Sequence, residues 1–286
     1  MIQTLLSPNQ TISLILIKAH KDVFSLISGD NATQKKGNGY DFIELREYAS
    51  GEDIKHIDWT ISSKLGKPYV KVFQEEKELN IVVVPILCAS VNFGVSVLKQ
   101  DIIAEICALI SFSCIKHNNS FSSYICNEET LLNTKKSKSL SIVKEFVANV
   151  LSYKTINKSI NYYALANTLF SQLKQKSMLF LIGDFFDTQE FDITALAKKH
   201  ELIILIVRDK FEEQPLALGE IHVIDPQTQK SSLVNITKKE SLRLKQELEQ
   251  KDIQFFLKLK KAGVRYLKIY TDETPADKII SLMKSL

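Results

Sequence analysis

The sequence has few of the residues that mark fibrous, disordered or disulfide-stapled proteins. Its 286 residues include only 9 glycines, 6 prolines and 4 cysteines. So little glycine and proline excludes a collagen-like or low-complexity chain, and 45% hydrophobic content is enough to build a folded core. The length is near the upper limit for one core, so we expect one domain of about 200 residues and a smaller unit.

The cysteines do not form the spacing of a metal or disulfide site. None belongs to a C-x-x-C motif, and Cys107 and Cys114 lie seven residues apart, on one face of a predicted helix with apolar neighbours. We interpret all four, which include Cys88 and Cys126, as small buried hydrophobic residues in a reducing cytoplasm.

Membrane-spanning runs and a strong excess of one charge are also missing. The amino terminus lacks the basic region and cleavage site of a signal peptide, and its apolar run over residues 12–17 is too short to cross a bilayer. Residues 80–98 are uncharged but rich in polar side chains, which predicts a buried strand followed by a loop. A net charge of +4 does not indicate nucleic-acid binding. Because a signal peptide and a membrane span are both missing from the pattern, we expect a cytoplasmic protein without a transmembrane segment.

From residue 79 onward, buried-strand patterns alternate with helical ones. Continuous apolar strands are typical of a sheet covered on both faces, so the pattern predicts an α/β fold with a doubly wound, mostly parallel sheet. The predicted strands are 79–87, 120–126, 178–183, 202–207 and 264–270, with a hairpin over 220–235 that turns at 225–229. The predicted helices are 97–117, 138–152, 162–175, 192–199, 238–261 and 275–285.

Residues 1–78 have a different pattern of apolar and charged residues. Apolar residues have helical spacing over 11–28, and a polar loop follows at 31–39. Over 40–78, short apolar stretches alternate with charged residues. We therefore expect a small amino-terminal unit of helix, loops and short strands over 1–78, and an α/β domain over 79–286.

A ligand site is expected outside the carboxyl ends of the parallel strands, because loops from neighbouring strands meet there. Residues 86–94 follow the first predicted strand, residues 183–187 follow the third, and residues 158–161 precede a helix between them. Two hydroxyls and a carboxylate at this edge could hold a hard cation such as Mg²⁺ if a partner supplied further oxygen ligands.

The block at residues 37–78 resembles the hallmark segment of the domain-of-unknown-function 58 family, bacterial proteins associated with MoxR-type AAA+ ATPases. The resemblance covers roughly residues 20–286, most closely 37–94 and 178–187. It implies that the α/β part is similar to a von Willebrand factor A domain. The matching positions are Gly37, Gly39, Phe42, Arg46, Tyr48, Gly51, Asp53, Ile57, Asp58, Trp59 and Ser62.

The same resemblance implies a metal-ion-dependent adhesion site, two of whose five positions are altered in this chain. Ile86 stands where the family has a carboxylate and Cys88 where it has a serine, while Ser90, Ser159 and Asp184 match. A hard cation loses its main anionic partner there. We therefore expect a degenerate site without metal or cofactor. Its binding crest would be formed by Cys88, Ser90, Asn92, Ser159 and Asp184.

The amino-terminal block admits two interpretations. In the first, Arg46, Asp53 and Asp58 form a partly buried ion-pair cluster with Trp59 as its apolar anchor, and this cluster clamps the small unit onto the α/β domain. In the second, Arg46, Asp58 and Trp59 form a face on which a partner docks.

No catalytic motif is found. The five histidines are scattered, and G-x-S-x-G and phosphate-binding glycine motifs are missing. The resemblance then implies a non-catalytic adaptor that acts with a MoxR-type ATPase on client proteins in chaperone-like maturation or complex assembly. The alternatives are a metal-bridged adhesion protein that uses Asp184 with Asp187, and a hydrolase of unrecognised type.

Overall fold

The computed structural model describes residues 14–16, 18–19, 40–50, 52–75 and 79–284. These residues form two compact units, one from 40–75 and an α/β unit from 79–284 that includes the helical residues 14–16 and 18–19. Gly37, Gly39 and Gly51, the polar loop predicted at 31–39 and most of the helix predicted at 11–28 lie outside the described residues, as does the side chain of Phe42.

The small unit is an antiparallel pair of strands with two short helices between them. Strand β1 (Tyr40–Glu47) pairs with β2 (Tyr69–Glu75), and the connection holds a 3₁₀ turn (Ile54–His56) and helix α1 (Trp59–Leu65). The carboxylate of Asp58 accepts a bond from the amide of Ile61 at 3.0 Å and so caps α1. Helix α1 was not predicted, because seven residues are too few to show a helical period.

The α/β unit is built on a six-stranded sheet. Its strand order is β10-β7-β6-β3-β4-β5, and every neighbouring pair is parallel except β4 with β5. The predicted doubly wound, mostly parallel sheet is therefore confirmed. The strands are β3 (Asn80–Pro85), β4 (Ser120–Cys126), β5 (Thr130–Ser137), β6 (Met178–Gly183), β7 (Glu201–Arg208) and β10 (Arg265–Tyr270).

Helices and one hairpin complete this unit. The hairpin of β8 (Gly219–Ile224) and β9 (Ser231–Ile236) forms a separate two-stranded sheet. The Asp225 carboxylate closes its turn by accepting bonds from the Gln227 amide and the Thr228 hydroxyl. The helices are α2 (Lys99–Lys116), α3 (Leu140–Ser152), α4 (Tyr162–Gln172), α5 (Thr194–Lys199), α6 (Lys210–Glu213), α7 (Lys238–Lys261) and α8 (Pro275–Lys284).

The inner strands are buried along their length, as continuous apolar sequences require. The side chains of Val82, Val83 and Val84 in β3 are fully buried, as are those of Ile203, Ile204 and Leu205 in β7. Strand β5 was not predicted. It is an edge strand in which polar and apolar residues are mixed, so its sequence lacks the apolar run by which the inner strands were found.

The amino-terminal helical residues belong to the α/β unit. Ile15 and Ala19 are buried in its hydrophobic core, and Lys18 forms an ion pair with Glu105 at 2.6 Å. The prediction had grouped this helix with the small unit because the two are adjacent in sequence. The α/β core, however, is where its apolar face is covered.

All four cysteines are free and buried. This confirms their interpretation as small core residues, and burial raises the pKa of the Cys126 thiol to about 12. Within the described ranges, no helix is long and apolar enough to cross a bilayer.

His200, at the end of α5, generates a prediction about pH. Its side chain is buried, neither ring nitrogen has a hydrogen-bond partner, and burial together with the nearby charge of Lys199 lowers its pKa below the ordinary value of 6.5. The unfolded chain therefore binds more protons below about pH 6.5, and stability must fall as pH drops from there through the lower folded-state pKa.

We expect His200→Leu to lose less stability than the wild-type chain when pH falls from about 7 to about 5, as measured by urea denaturation. His222→Gln, which changes an exposed histidine, is the matched control and should follow the wild type. Equal pH dependence in all three proteins would contradict the assignment.

Candidate functional site

The sheet reverses its strand order at β3, since β4 lies on one side of it and β6 on the other. The chain after β3 is bonded to both neighbours: the Ile86 amide donates to the Ile182 carbonyl, and the Leu87 amide to the Cys126 carbonyl, each at 2.7 Å. The loops that follow β3 and β6 therefore diverge at the carboxyl ends of these two strands. This is where doubly wound folds bind ligands. We call residues 86–92, 158–161 and 184–187 the crest.

The first crest position is apolar and closed. The side chain of Ile86 is fully buried, and a Cβ built on Gly183 would lie 3.0 Å from the Ile86 Cβ. Glycine at 183 is what allows this close approach between β3 and β6. Ile86 therefore packs the sheet together and offers nothing to an incoming polar ligand.

Cys88 and Ser90 contact each other at the end of this loop. The sulfur of Cys88 lies 3.2 Å from the Ser90 hydroxyl, and the cysteine is only 3% exposed. Burial, with a smaller contribution from the negative charge of Asp184, raises the pKa of Cys88 to about 11. At neutral pH this side chain is a thiol, which is a poor nucleophile and a poor ligand for a hard cation.

Asp184 is held by a lysine that the sequence analysis did not single out. The Lys99 ammonium lies 3.0 Å from the Asp184 carboxylate and 2.6 Å from that of Glu212. Lys99 is fully buried, Asp184 is 2% exposed, and the ring centroid of Phe186 is 4.7 Å from the same ammonium. Burial raises the pKa of the Glu212 carboxyl, and Lys99 opposes that rise. A fixed cation thus sits against the carboxylate that the resemblance assigned to metal.

The remaining crest residues have other partners. The amide and hydroxyl of Ser159 both donate to Glu128, at 3.1 Å and 3.4 Å, and Asn161 caps α4. Asp187 is exposed, whereas Asp184 is buried. The structure thus brings Cys88 and Ser90 together near Asp184, while Ser159 is bonded to Glu128.

A second buried cation lies at the end of β7. Arg208 is 1% exposed and donates to the backbone carbonyls of Asp184 and Phe185. Its guanidinium also bonds the Asp252 carboxylate at 3.1 Å and stacks 3.7 Å from the ring centroid of Phe186. Arg208 therefore holds the crest backbone in place through the carbonyls of Asp184 and Phe185.

The next residue, Asp209, joins three chain segments. Its carboxylate accepts bonds from the Phe211 amide at 2.8 Å, the Val95 amide at 3.0 Å and the Thr271 hydroxyl at 2.7 Å. Burial acts to raise its pKa, but the Thr271 and amide bonds and the charge of Lys99 hold the pKa below its ordinary value. Asp209 is therefore an ionised structural anchor that begins α6.

The reactive side chains of the crest are already protonated or paired. The crest thiol is protonated and buried, and the Asp184 carboxylate is already engaged by an ammonium group. In the part of the chain that the structure describes, no group of three His, Cys, Asp or Glu side chains is placed to hold a metal ion.

The sequence contains positional clues to some of the buried charged residues that were not predicted. These residues are Lys99, Arg208, Asp209 and Glu212. Arg208 and Asp209 directly follow a buried strand, so the rule that directed attention to residues 86–94 and 183–187 applies to them equally. Lys99 is the first charge after the uncharged segment 80–98. Its pairing with Asp184 and Glu212 spans 85 and 113 residues, which no local pattern reveals.

In the small unit, the predicted cluster of Arg46, Asp53 and Asp58 is wrong. Arg46 forms an ion pair with Glu52 at 2.5 Å, and this bond lowers the pKa of Glu52. Asp58 pairs with Lys71, which lowers the pKa of Asp58. Asp53 instead accepts a bond from the Lys55 amide and begins the 3₁₀ turn. The three residues thus serve three separate local interactions.

Trp59 is not a buried anchor either, because its side chain is 65% exposed. It occupies the first position of α1, and the buried residue of that helix is Ser62. The Ser62 hydroxyl donates to the Asp58 carbonyl at 2.7 Å and accepts from the Tyr69 amide at 2.8 Å, so it joins α1 to β2. Tyr48 donates to the Glu52 carbonyl at 3.0 Å.

Comparisons with known proteins agree with the family resemblance. A family profile described as "Protein of unknown function DUF58" matches residues 44–254. Uncharacterized proteins of Mycobacterium bovis and Mycobacterium tuberculosis are 20% identical over 208 residues, which is 71% of this chain and 66% of theirs. The chain thus spans just under two thirds of the length of these curated relatives.

Solved structures with a similar arrangement share little sequence with this chain. A conserved hypothetical protein, BatB from Bacteroides thetaiotaomicron, aligns with a TM-score of 0.43 at 9% identity, over 72% of this chain and 98% of that one. An aerotolerance-related membrane protein from Bacteroides fragilis aligns with a TM-score of 0.45 at 9% identity, over 72% and 97% of the two chains. At these values neither supports a functional argument.

The buried ammonium predicts a large effect on stability. Lys99→Met leaves the carboxylates of Asp184 and Glu212 without their shared cation, so we expect a loss of about 3–5 kcal/mol in the free energy of unfolding, measured in urea. Lys144→Met, at an exposed position of α3, should change it by about 0.5 kcal/mol or less. If Lys99→Met is as stable as the wild type, the ion pairs contribute nothing.

The same geometry predicts indifference to divalent metal. Because Lys99 already contacts Asp184, and the buried side chain of Ile86 offers no oxygen ligand, titration with Mg²⁺ or Mn²⁺ should leave the melting temperature unchanged. Elemental analysis of the purified protein provides the independent measurement. A saturable upward shift that Asp184→Asn abolishes would contradict this prediction.

Proposed function

Because the chain belongs to the DUF58 family of proteins of unknown function, we propose that it is a non-catalytic adaptor for a MoxR-type AAA+ ATPase. The ATPase would supply the hydrolysis, and this chain would bind the ATPase and a client protein during maturation or assembly of a complex. The proposal includes a cytoplasmic location, which the four free thiols suit.

The absence of an activated group at the crest supports a non-catalytic role. An activated cysteine needs a depressed pKa, whereas the pKa of Cys88 is raised by burial. Asp184 is paired with a buried ammonium and is not available to act as a general base. Nothing at the described crest therefore favours hydrolysis over binding.

The proposal also treats the crest as a degenerate metal-ion-dependent adhesion site in a von Willebrand factor A-like domain. Lys99 supplies a fixed positive charge beside Asp184, so the crest holds its shape without a divalent ion. Contact with a partner would then use the crest surface without a bridging metal.

The observation that carries the docking proposal is the exposure of Trp59. A tryptophan that is 65% exposed is unusual on a surface with no partner, and tryptophan is enriched among residues that dominate binding energy. Leu65, at the end of the same helix, is 53% exposed, and Ile54, in the preceding 3₁₀ turn, is 61% exposed. These side chains give the small unit apolar contacts that its own fold does not use.

We expect Trp59→Ala to weaken binding to the MoxR-type ATPase of the same organism by about tenfold or more, because a central aromatic side chain is lost. The measurement is a pull-down followed by a binding titration, with and without ATP. The melting temperature should stay unchanged, since the ring is exposed.

Phe170→Ala is the matched control, because Phe170 is an exposed aromatic residue (44%) in the other unit, near the end of α4 that lies away from the crest. It should bind like the wild type. No association of the wild-type chain with the ATPase in either nucleotide condition would refute the proposed function, and equal binding by Trp59→Ala would remove the docking role of Trp59.

A further inference from the structure

A groove of about 910 Å³ lies between α7 and the carboxyl ends of β7 and β10. It is separate in sequence from the crest residues: its lining comes from the segments 95–96, 209–216, 245–256 and 268–272. The volume lies in the range of sites that bind ligands, and the groove is bounded by one long helix.

The wall formed by α7 has the spacing of a helix-packing surface. The lining residues of this wall recur every three or four residues along one face of the helix, over 12 residues or roughly 16 Å at 1.5 Å per residue. Such a ridge accommodates a second helix of about three turns. These residues are Lys245, Leu248, Glu249, Asp252, Ile253 and Phe256.

Several apolar side chains of the groove remain exposed to solvent. Val95 is 68% exposed, Leu216 is 65% and Ile253 is 57%, and all three line the groove. Large apolar side chains that surround a concave surface mark a place where another molecule is bound. Helix α7 packs into the core through Phe255 and Leu259, whereas Ile253 and Glu249 on its groove side stay exposed.

The charges around the groove favour a cationic partner. Five carboxylates line it against three lysines, and the Arg208 guanidinium pairs with two of these carboxylates, which leaves an excess of one negative charge. Lys268 is held between Glu213 and Asp252, at 2.6 Å and 2.7 Å. On the rim, Glu249 is exposed and its nearest ammonium, that of Lys245, is 3.9 Å away, so this carboxylate can accept a bond from an incoming cation.

We propose that the groove binds an amphipathic helix of a partner protein whose apolar face is flanked by lysine or arginine. The apolar face would cover Leu216 and Ile253, and a basic side chain would pair with Glu249. This inference deepens the proposed adaptor function and rests on it for the existence of a protein partner. It assigns a contact surface distinct from Trp59 and from the crest.

The test uses the full chain and two fluorescein-labelled synthetic peptides of about 14 residues, or four helical turns. Both carry the same leucines on one face, flanked by lysine in one peptide and by glutamate in the other. We expect the lysine peptide to bind in fluorescence anisotropy, more weakly as salt increases, and the glutamate peptide not to bind. Equal binding of both peptides, or of neither, would overturn the proposal.

Matched variants on α7 separate the groove from the rest of the helix. Ile253→Ser should weaken binding of the lysine peptide about tenfold, whereas Leu257→Ser, one turn later, equally exposed (52%) and outside the groove, should not. Glu249→Gln should weaken it about threefold, whereas Glu247→Gln, which also has a basic partner on α7 but lies outside the groove, should not.

Equal effects within either pair would show that peptides bind elsewhere and would refute the groove. The result is distinguishable from failure of the adaptor function. Trp59→Ala should bind the lysine peptide normally, and a chain that binds the peptide through the groove but does not bind the ATPase would retain the groove and lose the proposed ATPase partner.

Discussion

The ammonium group of Lys99, buried between Asp184 and Glu212, is the interaction on which the carboxyl edge of the sheet depends. A charge removed from water is tolerated only when it is paired and bonded, and this one satisfies a carboxylate after β6 and another in α6. Because Glu212 also accepts from the Asp209 amide, the pairing extends to the residue that joins α6, the loop at Val95 and the end of β10. One cation therefore holds loops from several strands in a single arrangement.

Arg208 extends this arrangement toward the groove. It bonds the crest backbone on one side and Asp252 of α7 on the other, and Asp252 in turn bonds Lys268. The crest and the groove are thus connected through buried charged groups, although their surfaces differ: the crest is closed by Ile86, whereas the groove exposes Leu216 and Ile253. In both places the buried charged groups are bonded to one another, so each region is held in one arrangement.

Much of the architecture followed from local patterns. The inner strands were found because a strand buried on both faces must be continuously apolar, and the hairpin turn was found because Asp225 closes it through its own neighbours. Helix α1 was not predicted because it is short, and strand β5 was not predicted because polar and apolar residues are mixed along it. The sequence left the role of Trp59 open, because an aromatic residue in a charged segment fits a buried anchor as well as an exposed contact, and only its 65% exposure in the structure decides against the buried anchor.

By itself, the sequence determined the fold class, the family resemblance, the burial of the cysteines and the apolar character of position 86, since each depends on residue identity or on periodicity along the chain. The tertiary structure alone decided which charged groups meet at the carboxyl edge of the sheet. The Lys99 pairings join residues 85 and 113 positions apart, and the groove lining comes from four separate segments. Electrostatic pairing and cavity shape depend on distance in space, and a local pattern carries no information about which distant charges will meet.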